Sequence, residues 1–354
     1  MVGEKIKQAR RMACLSLREL GARVGVSHQA IAKYEKGEDI PSSGVLLKLS
    51  GALDVGVDFF LQPVEVSVSR PEFRKHSRLG KKQQDSIVAR VEDWIARSIE
   101  VDDLIALDER VEFRPPTGFP RRVSTVDDVE QSAIDFRHAW QLGLDPIQNL
   151  TEVLEERGIR VGSVDAGAHF EALTLWANGT IPVIVTRAGI PGDRQRLSLA
   201  HELGHILLKP VADDEKMMQC FAGAFLAPAP VARMELGCAR SRLDLIELHM
   251  LKHKYGLSMS AWIVRARQLG IISESAAQSL FITFSKHGWR DKEPGDAFPA
   301  EQPERMTRQV MQLVSEEIIS ESRAKELLGR SLADFRKAFS KEHDGFPTSS
   351  HNRR

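Results

Sequence analysis

The sequence is poor in the features that mark exported and membrane proteins. Its three cysteines, Cys14, Cys220 and Cys238, are spread over 354 residues. Such wide spacing argues against a disulfide framework and fits a reducing compartment. No apolar run approaches the ~18 residues of a membrane span, and the N-terminus lacks the apolar segment of a signal peptide. We therefore expect a cytoplasmic protein with no membrane partner.

The chain also lacks net charge, because 49 basic residues balance 49 acidic ones. This balance alone predicts no polyanionic partner, but the charges are unevenly placed. Residues 1–82 contain 15 Lys/Arg and 9 Asp/Glu, whereas residues 92–130 contain 5 and 11. A basic head followed by an acidic connector predicts an anionic partner for the head. The acidic stretch is most simply a solvated helix surface; the alternative is that it folds back and masks the head.

Length and composition predict two or three soluble domains, with 42% hydrophobic and 28% charged residues. A Pro/Gly-rich break at residues 113–120 marks one boundary. We divide the chain into a helical head (1–62), a helical connector (63–130), a main domain (131–295) and a helical C-terminal region with a disordered tail (296–354). Helical periodicity dominates and β-rich stretches are few, so the predicted fold class is α+β and mostly α.

The head has the pattern of five short helices separated by sharp turns. Ser16 is expected to cap the second helix, which is followed by a turn at Gly25. Ser27 is expected to cap the third helix, which Gly37 ends. A helix, a short glycine-containing turn and a second capped helix form the helix-turn-helix arrangement.

The pattern Ser27-x-x-x-Ile31-x-x-Tyr34-Glu35-x-Gly37-x-x-x-Pro41 resembles the Cro/C1-type (XRE) family of DNA-binding domains. The resemblance implies that the third helix enters the major groove, and that such heads pair on two half-sites, which leaves a homodimer open. The alternative is a small packing or dimerisation module that does not bind DNA. The side chains expected to contact base edges are His28, Gln29 and Lys33. Those expected to contact phosphates are Arg23, Ser27 and Lys36.

The segment with the most specific chemistry is 197–208, which contains His201-Glu202-x-x-His205. Two histidines four residues apart share one helix face and can bind one zinc ion. Glu202 lies at the edge of that face, where a carboxylate can accept a proton from an attacking water. The alternative is a pair of core histidines, because apolar residues surround the motif. Gly204 argues against it, since glycine inside a helix costs ~1 kcal/mol relative to alanine and indicates close packing.

A third ligand follows shortly after the motif. Pro210 is expected to stop the helix just after Lys209. Glu215 opens the next helix, and a short reversal would bring its carboxylate back to the two histidines. Two imidazoles, one carboxylate and an open position form the catalytic type of zinc coordination. Gln219, one turn after Glu215, is a candidate to hold a ligand in place.

Secondary-structure signals around the motif complete the predicted fold. Two β-rich runs, 172–177 and 181–186, flank Asn178-Gly179, which is a strong hairpin signal. We expect a small antiparallel sheet that packs on the motif helix. Apolar spacing predicts further helices over the ranges 85–100, 303–328 and 331–339.

Two stretches resemble the ImmA/IrrE-type metallopeptidases: Arg194-x-Arg196-Leu197-Ser198-Leu199-Ala200-His201-Glu202-Leu203-Gly204-His205 and Glu215-Lys-x-x-x-x-Phe221-Ala222-Gly223-Ala224-Phe225-Leu226-x-Pro228. The similarity continues at 251–272 and 288–295 and departs at Met218-Gln219. It implies a zincin-like domain in which His201, His205 and Glu215 bind Zn²⁺ and Glu202 is catalytic. It also implies cleavage of a repressor or antitoxin-like protein, often under stress, and an N-terminal XRE domain is a familiar fusion.

These features predict a DNA-binding zinc metallo-endopeptidase that regulates transcription by cleaving a regulatory protein. The alternative is a non-catalytic XRE-family regulator or antitoxin that uses the metallopeptidase fold as a scaffold or sensor. Residues 252–272 also resemble a second helix-turn-helix, for which packing within the peptidase domain is favoured over DNA contact. His249 and His253 are four apart, but with no acidic ligand nearby we expect no second metal site there.

Overall fold

The head is built from short helices whose ends are fixed by side-chain caps. A computed structural model describes residues 2–61, 66–69, 79–105, 110–212, 214–329 and 331–332. The predictions for a helix over 331–339 and a disordered end fall largely outside these residues. Residues 2–61 contain the five predicted helices, four of which are α-helices and the last a short 3-10 helix. Their bounds are α1 (Val2–Met12), α2 (Leu17–Val24), α3 (His28–Lys36), α4 (Ser43–Leu53) and the 3-10 turn Val57–Leu61.

Both predicted helix caps in the head are confirmed. The Ser16 hydroxyl accepts the N–H of Glu19, and the Ser27 hydroxyl accepts the N–H of Ala30 at 3.1 Å. The turn between α2 and α3 is tight, because a Cβ at Gly21 would lie 2.7 Å from the carbonyl oxygen of Val26. Each cap satisfies a backbone donor that has no partner within the helix.

A long helix, α5 (Lys81–Leu104), joins the head to the rest of the chain and extends beyond both ends of its predicted range. The Ser86 hydroxyl and Arg90 Nε both donate to the carbonyl oxygen of Met12 at the end of α1, at 3.0 and 3.1 Å. Arg90 Nη1 also donates to the carbonyl oxygen of Asp165, at 3.0 Å. The connector therefore contacts the head on one side and the main domain on the other.

The predicted hairpin at Asn178-Gly179 is confirmed, but the expectation of an all-antiparallel sheet is wrong. The strand order is β2-β4-β3, and β2 runs parallel to β4. The middle strand is buried along nearly its whole length, as a central strand should be. A second sheet consists of β1 and β5, which pair in parallel. Each strand is three residues long, too short to give a sequence signal. The strands are β1 (Arg121–Val123), β2 (Arg160–Val164), β3 (Ala172–Ala177), β4 (Ile181–Arg187) and β5 (Leu208–Pro210).

The remaining described elements are helices, and two of the predicted boundaries are wrong. The motif helix ends at Leu207, because the next three residues pair as β5. The single helix predicted over 303–328 is two helices, since Glu317 adopts a φ of 57° and Ser320 caps a new start. The bounds are α6 (Val126–Ala139), α7 (Leu150–Glu156), α8 (Gly192–Leu207), α9 (Asp214–Leu226), α10 (Ala229–Leu236), α11 (Leu245–Tyr255), α12 (Met259–Gln268), α13 (Glu274–Lys286), α14 (Arg305–Ser315) and α15 (Glu321–Leu328).

The sheet separates two hydrophobic cores. Leu173 and Leu175 of β3, with Val183 of β4, pack against α5. Ile184 of β4 points the other way and joins the larger core around α8, α9 and α12. Successive strand residues face opposite sides of a sheet, so the same hairpin can pack against α5 on one side and α8 on the other. The sheet therefore lies between the motif helix α8 and the long helix α5.

The segment that resembles a second helix-turn-helix is part of the main core. Met259, Trp262, Ile263 and Ala266 of α12 are all buried within that core. The burial of this face supports the packing interpretation that the sequence favours.

A buried arginine fixes the first half of α8. Arg196 is 0% exposed and forms an ion pair with Glu301. Its Nη2 donates to the carbonyl oxygen of Ile147 at 2.7 Å. Burial lowers the pKa of Arg196, and the Glu301 carboxylate opposes this effect. The Glu301 carboxylate also accepts the N–H groups of Leu150 and Thr151, which open α7.

We expect Arg196→Met to destabilise the protein by about 3–5 kcal/mol, because the substitution leaves the Glu301 carboxylate buried without its cation. Urea denaturation followed by circular dichroism measures the change. Arg267→Met is the matched control, since Arg267 pairs with the exposed Glu274 at 3.2 Å and such surface pairs contribute about 1 kcal/mol at most. Equal losses in the two variants would contradict the structural role of Arg196.

Candidate metal centre and DNA-binding surface

The packing of α8 against α9 brings together the three predicted ligands. One ligand atom from each of His201, His205 and Glu215 lies within 4.8 Å of the others. His201 Nε2 and Glu215 Oε2 are 3.4 Å apart, and the two imidazole centroids are 5.1 Å apart. His201 is buried, His205 is half-buried and Glu215 is exposed, so one side of the cluster opens to solvent.

The donor set and its spacing suit zinc. Zinc bonds to imidazole nitrogen and carboxylate oxygen at about 2.1 Å, which places two ligands of a tetrahedron about 3.4 Å apart. The His201–Glu215 pair already has this separation, and a ligand atom of His205 lies within 4.8 Å of both. Two imidazoles and one carboxylate leave a fourth position for water or substrate.

Glu202 lies beside the cluster in a fixed orientation. Its side chain is 4% exposed, and Thr174 Oγ1 donates to its Oε2 at 2.8 Å. The same hydroxyl lies 3.2 Å from the Glu202 carbonyl oxygen. A hydrogen bond to the carboxylate restricts its rotation, so the hairpin strand β3 helps to aim the candidate general base.

Close packing between α8 and α9 explains the glycine within the motif. A Cβ at Gly204 would lie 2.8 Å from Met218 Sδ and 3.2 Å from Phe221 Cδ1. Met218 is 0% exposed and fills the space that the glycine leaves. Gln219, which the sequence offers as a support for a ligand, is instead exposed in the wall of a cavity.

The predicted DNA contacts lie on the surface of the head. On α3, Gln29, Lys33 and Lys36 fall on one helix face by their spacing, and all three are exposed. Ile31 faces the opposite direction and is 0% exposed in the head core. The other three predicted contacts are exposed as well: Arg23, Ser27 and His28. The helix therefore buries one side and presents a polar, basic side to solvent.

Sequence reasoning missed two residues whose contacts position the helix of the candidate metal centre and its candidate base. Thr174 is the polar residue on the half-buried face of a strand with alternating burial, and this alternation is the signal that could have found it. Arg196 lies within the quoted motif, but its partner Glu301 is 105 residues away. No local pattern predicts a pairing over that distance.

Comparison with known proteins assigns the head. Residues 6–60 match the helix-turn-helix family model HTH_3. Residues 6–60 form a helix-turn-helix domain. An uncharacterized HTH-type transcriptional regulator of Sinorhizobium fredii is 39% identical over 61 residues, which are 17% of this chain and 43% of that protein.

Two further relatives match over a similar length. An uncharacterized transcriptional regulator in the ATPase CF(0) region of Rhodospirillum rubrum is 38% identical over 64 residues, or 18% of this chain and 59% of its own. An uncharacterized HTH-type transcriptional regulator of Rickettsia prowazekii is 33% identical over 79 residues, or 22% and 61%. The chain thus spans about half the length of these curated relatives. No solved structure matches the chain.

We expect the purified protein to bind one zinc ion per chain, and His201→Gln or Glu215→Gln to weaken binding at least tenfold by removing a ligand. Zinc titration with a competing chromophoric chelator measures the affinity.

His253→Gln is the matched control for this measurement. His249 and His253 also face each other one helical turn apart, with ring centroids 4.6 Å apart. Among the described residues, however, the cluster of three metal-type ligands is His201, His205 and Glu215. The same loss in His253→Gln as in His201→Gln would exclude the α8–α9 cluster as the zinc site.

Proposed function

We propose that this protein is a zinc-dependent metallo-endopeptidase with a DNA-binding head, and that it regulates transcription by cleaving a repressor or antitoxin-like protein. The observation that carries the proposal is the convergence of His201, His205 and Glu215, with Glu202 oriented beside them. The helix-turn-helix domain at residues 6–60 supports the DNA-binding part.

His201, His205 and Glu215 would hold the zinc ion. When bound, zinc supplies Lewis acidity that polarises a peptide carbonyl and acidifies water. Glu202 accepts a proton from the water whose oxygen adds to the carbonyl carbon. Glu202 then passes that proton to the amine nitrogen as the C–N bond breaks. Thr174 holds the carboxylate by its hydrogen bond to Oε2.

One side of the metal-ligand cluster and one face of α3 are both exposed, as a protein that cleaves a polypeptide and binds DNA requires. Glu215 and His205 leave one side of the cluster open to a polypeptide. The exposed face of α3 carries Gln29, Lys33 and Lys36, whose amide and cationic groups suit base edges and phosphates. A head bound at a promoter would concentrate the peptidase where a transcription factor acts.

A non-catalytic regulator is the second candidate, because these curated relatives match 17% and 18% of this chain and are named as transcriptional regulators. In that case the α8–α9 cluster would serve as a scaffold or a metal sensor. The two candidates differ in what the Glu202 carboxylate contributes to the biological output.

Glu202→Gln tests the peptidase role. We expect the variant to retain zinc but to lose cleavage by about 10²–10⁴-fold, since the amide cannot accept the proton. New N-termini in a proteome incubated with wild-type or variant protein, read by mass spectrometry, measure cleavage. The exposed Glu156→Gln is the matched control. Unchanged transcriptional output from the zinc-loaded Glu202→Gln variant in cells would favour the non-catalytic regulator.

For DNA binding, the probe is a duplex selected by the full-length protein from a random-sequence pool. We expect affinity to fall as salt rises, and Lys36→Ala, at a predicted phosphate contact, to reduce the log–log salt slope by about 1. Gln29→Ala should weaken binding to the selected duplex more than to unrelated DNA, because an amide reads base edges. Lys286→Ala, an exposed lysine on α13, should change neither quantity. Salt-independent binding that survives both head substitutions would exclude this surface.

A further inference from the structure

A cavity of about 300 Å³ lies between α8, α9 and α12, and the loop at 290–297 closes it. Its volume is at the lower end of the range for ligand pockets, about 300–1,000 Å³. A space of this size suits one large side chain rather than a whole cofactor. None of the three predicted metal ligands lines the cavity, but residues of the same two helices, α8 and α9, do.

Helix geometry places this cavity beside the candidate metal centre. Leu197 lines the cavity and precedes His201 by four residues, so it lies one turn away on the same face of α8. Gln219 also lines the cavity and follows Glu215 by four residues on α9. On both helices, the cavity lining therefore lies one helical turn from a predicted ligand.

The wall of the cavity combines an apolar part with polar and charged residues. Leu197, Ala261 and Val264 contribute their side chains and are half-buried, as expected for residues that line an accessible space. Gly223 leaves room in the wall of α9. A Cβ there would meet Arg265 Cδ at 3.6 Å and Gln268 Oε1 at 3.9 Å, which are ordinary contacts. Unlike Gly204, this glycine is not forced by helix packing.

The buried charges in the lining are already neutralised. Lys252 lies 3.3 Å from Asp193 and 3.2 Å from Glu293. The Arg265 guanidinium is held by the Glu130 carboxylate at 2.5 and 2.6 Å, and its Nε donates to a backbone carbonyl. These paired charges therefore offer an ionised side chain no uncompensated partner. The lining also includes the exposed cations Arg194, Arg290 and Lys292, whose charge solvent and salt screen.

We propose that this cavity is a specificity pocket that accepts a large apolar side chain of the peptide substrate, next to the bond that is cleaved. The inference rests on the proposed peptidase function and adds the class of residue that the enzyme selects. The apolar part of the wall, formed by Leu197, Ala261 and Val264, favours the burial of a leucine, methionine or phenylalanine side chain, and Gly223 sets the space available to it.

Gly223→Leu fills the pocket and Val264→Ala enlarges it, so the two variants should shift selectivity in opposite directions. Cleavage of a peptide library by wild-type protein should favour large apolar residues at one position. In Gly223→Leu the preference for large over small residues should fall at least tenfold, since a hydrophobic pocket discriminates a single methylene by about 10–200-fold. Val264→Ala should increase the preference for phenylalanine over leucine. Gly51→Leu is the control, because Gly51 lies in α4 with nothing within 4 Å of an added Cβ.

A second measurement separates failure of the pocket from failure of the peptidase. Binding of fluorescent library peptides to the zinc-loaded Glu202→Gln protein needs no cleavage. Loss of binding in Glu202→Gln/Gly223→Leu, with zinc content unchanged, supports the pocket even if wild-type protein cleaves nothing. Unaltered selectivity and unaltered peptide binding in both pocket variants would overturn the inference, and so would a preference for acidic side chains.

Discussion

The structure depends on the buried ion pair between Arg196 and Glu301. Arg196 lies five residues before His201, on the helix that carries two of the predicted ligands. Its guanidinium binds carbonyl oxygens ahead of α7, and Glu301 caps the start of α7. Gln195 adds a reciprocal pair of 2.8 Å hydrogen bonds with the backbone of Glu301. Loss of one partner of a buried pair strands the other charge, so these contacts must be satisfied together.

Local sequence signals predicted the parts of the fold that local chemistry decides. Ser16 and Ser27 cap helices because a hydroxyl can satisfy nearby N–H groups. Asn178-Gly179 closes a hairpin because both residues adopt positive φ, at 50° and 75°. The same reasoning placed Glu215 near the histidines, since helix periodicity and a short reversal leave few alternatives. These features need no knowledge of distant residues.

Two of the wrong predictions, the antiparallel sheet and the end of the motif helix, involve long-range pairing. The parallel alignment of β2 with β4 depends on which strand becomes central, and Pro210 lies in β5 because β1 pairs with that segment. Thr174 aims Glu202 only because the hairpin packs on α8, 28 residues along the chain. Tertiary contacts decide such features, and they override the preferences of a short segment.

The departure from the metallopeptidase pattern at Met218-Gln219 has a physical explanation in how α9 meets α8. Met218 is buried, and its sulfur would lie only 2.8 Å from a Cβ placed on Gly204. A flexible thioether fills an irregular gap at this crossing, so the methionine holds the helices close enough for Glu215 to reach His201. Gln219 turns outward, one helical turn from Glu215, and lines the cavity beside the cluster. Met218 thus packs where the two helices that carry the predicted ligands meet, and Gln219 lines the cavity beside them.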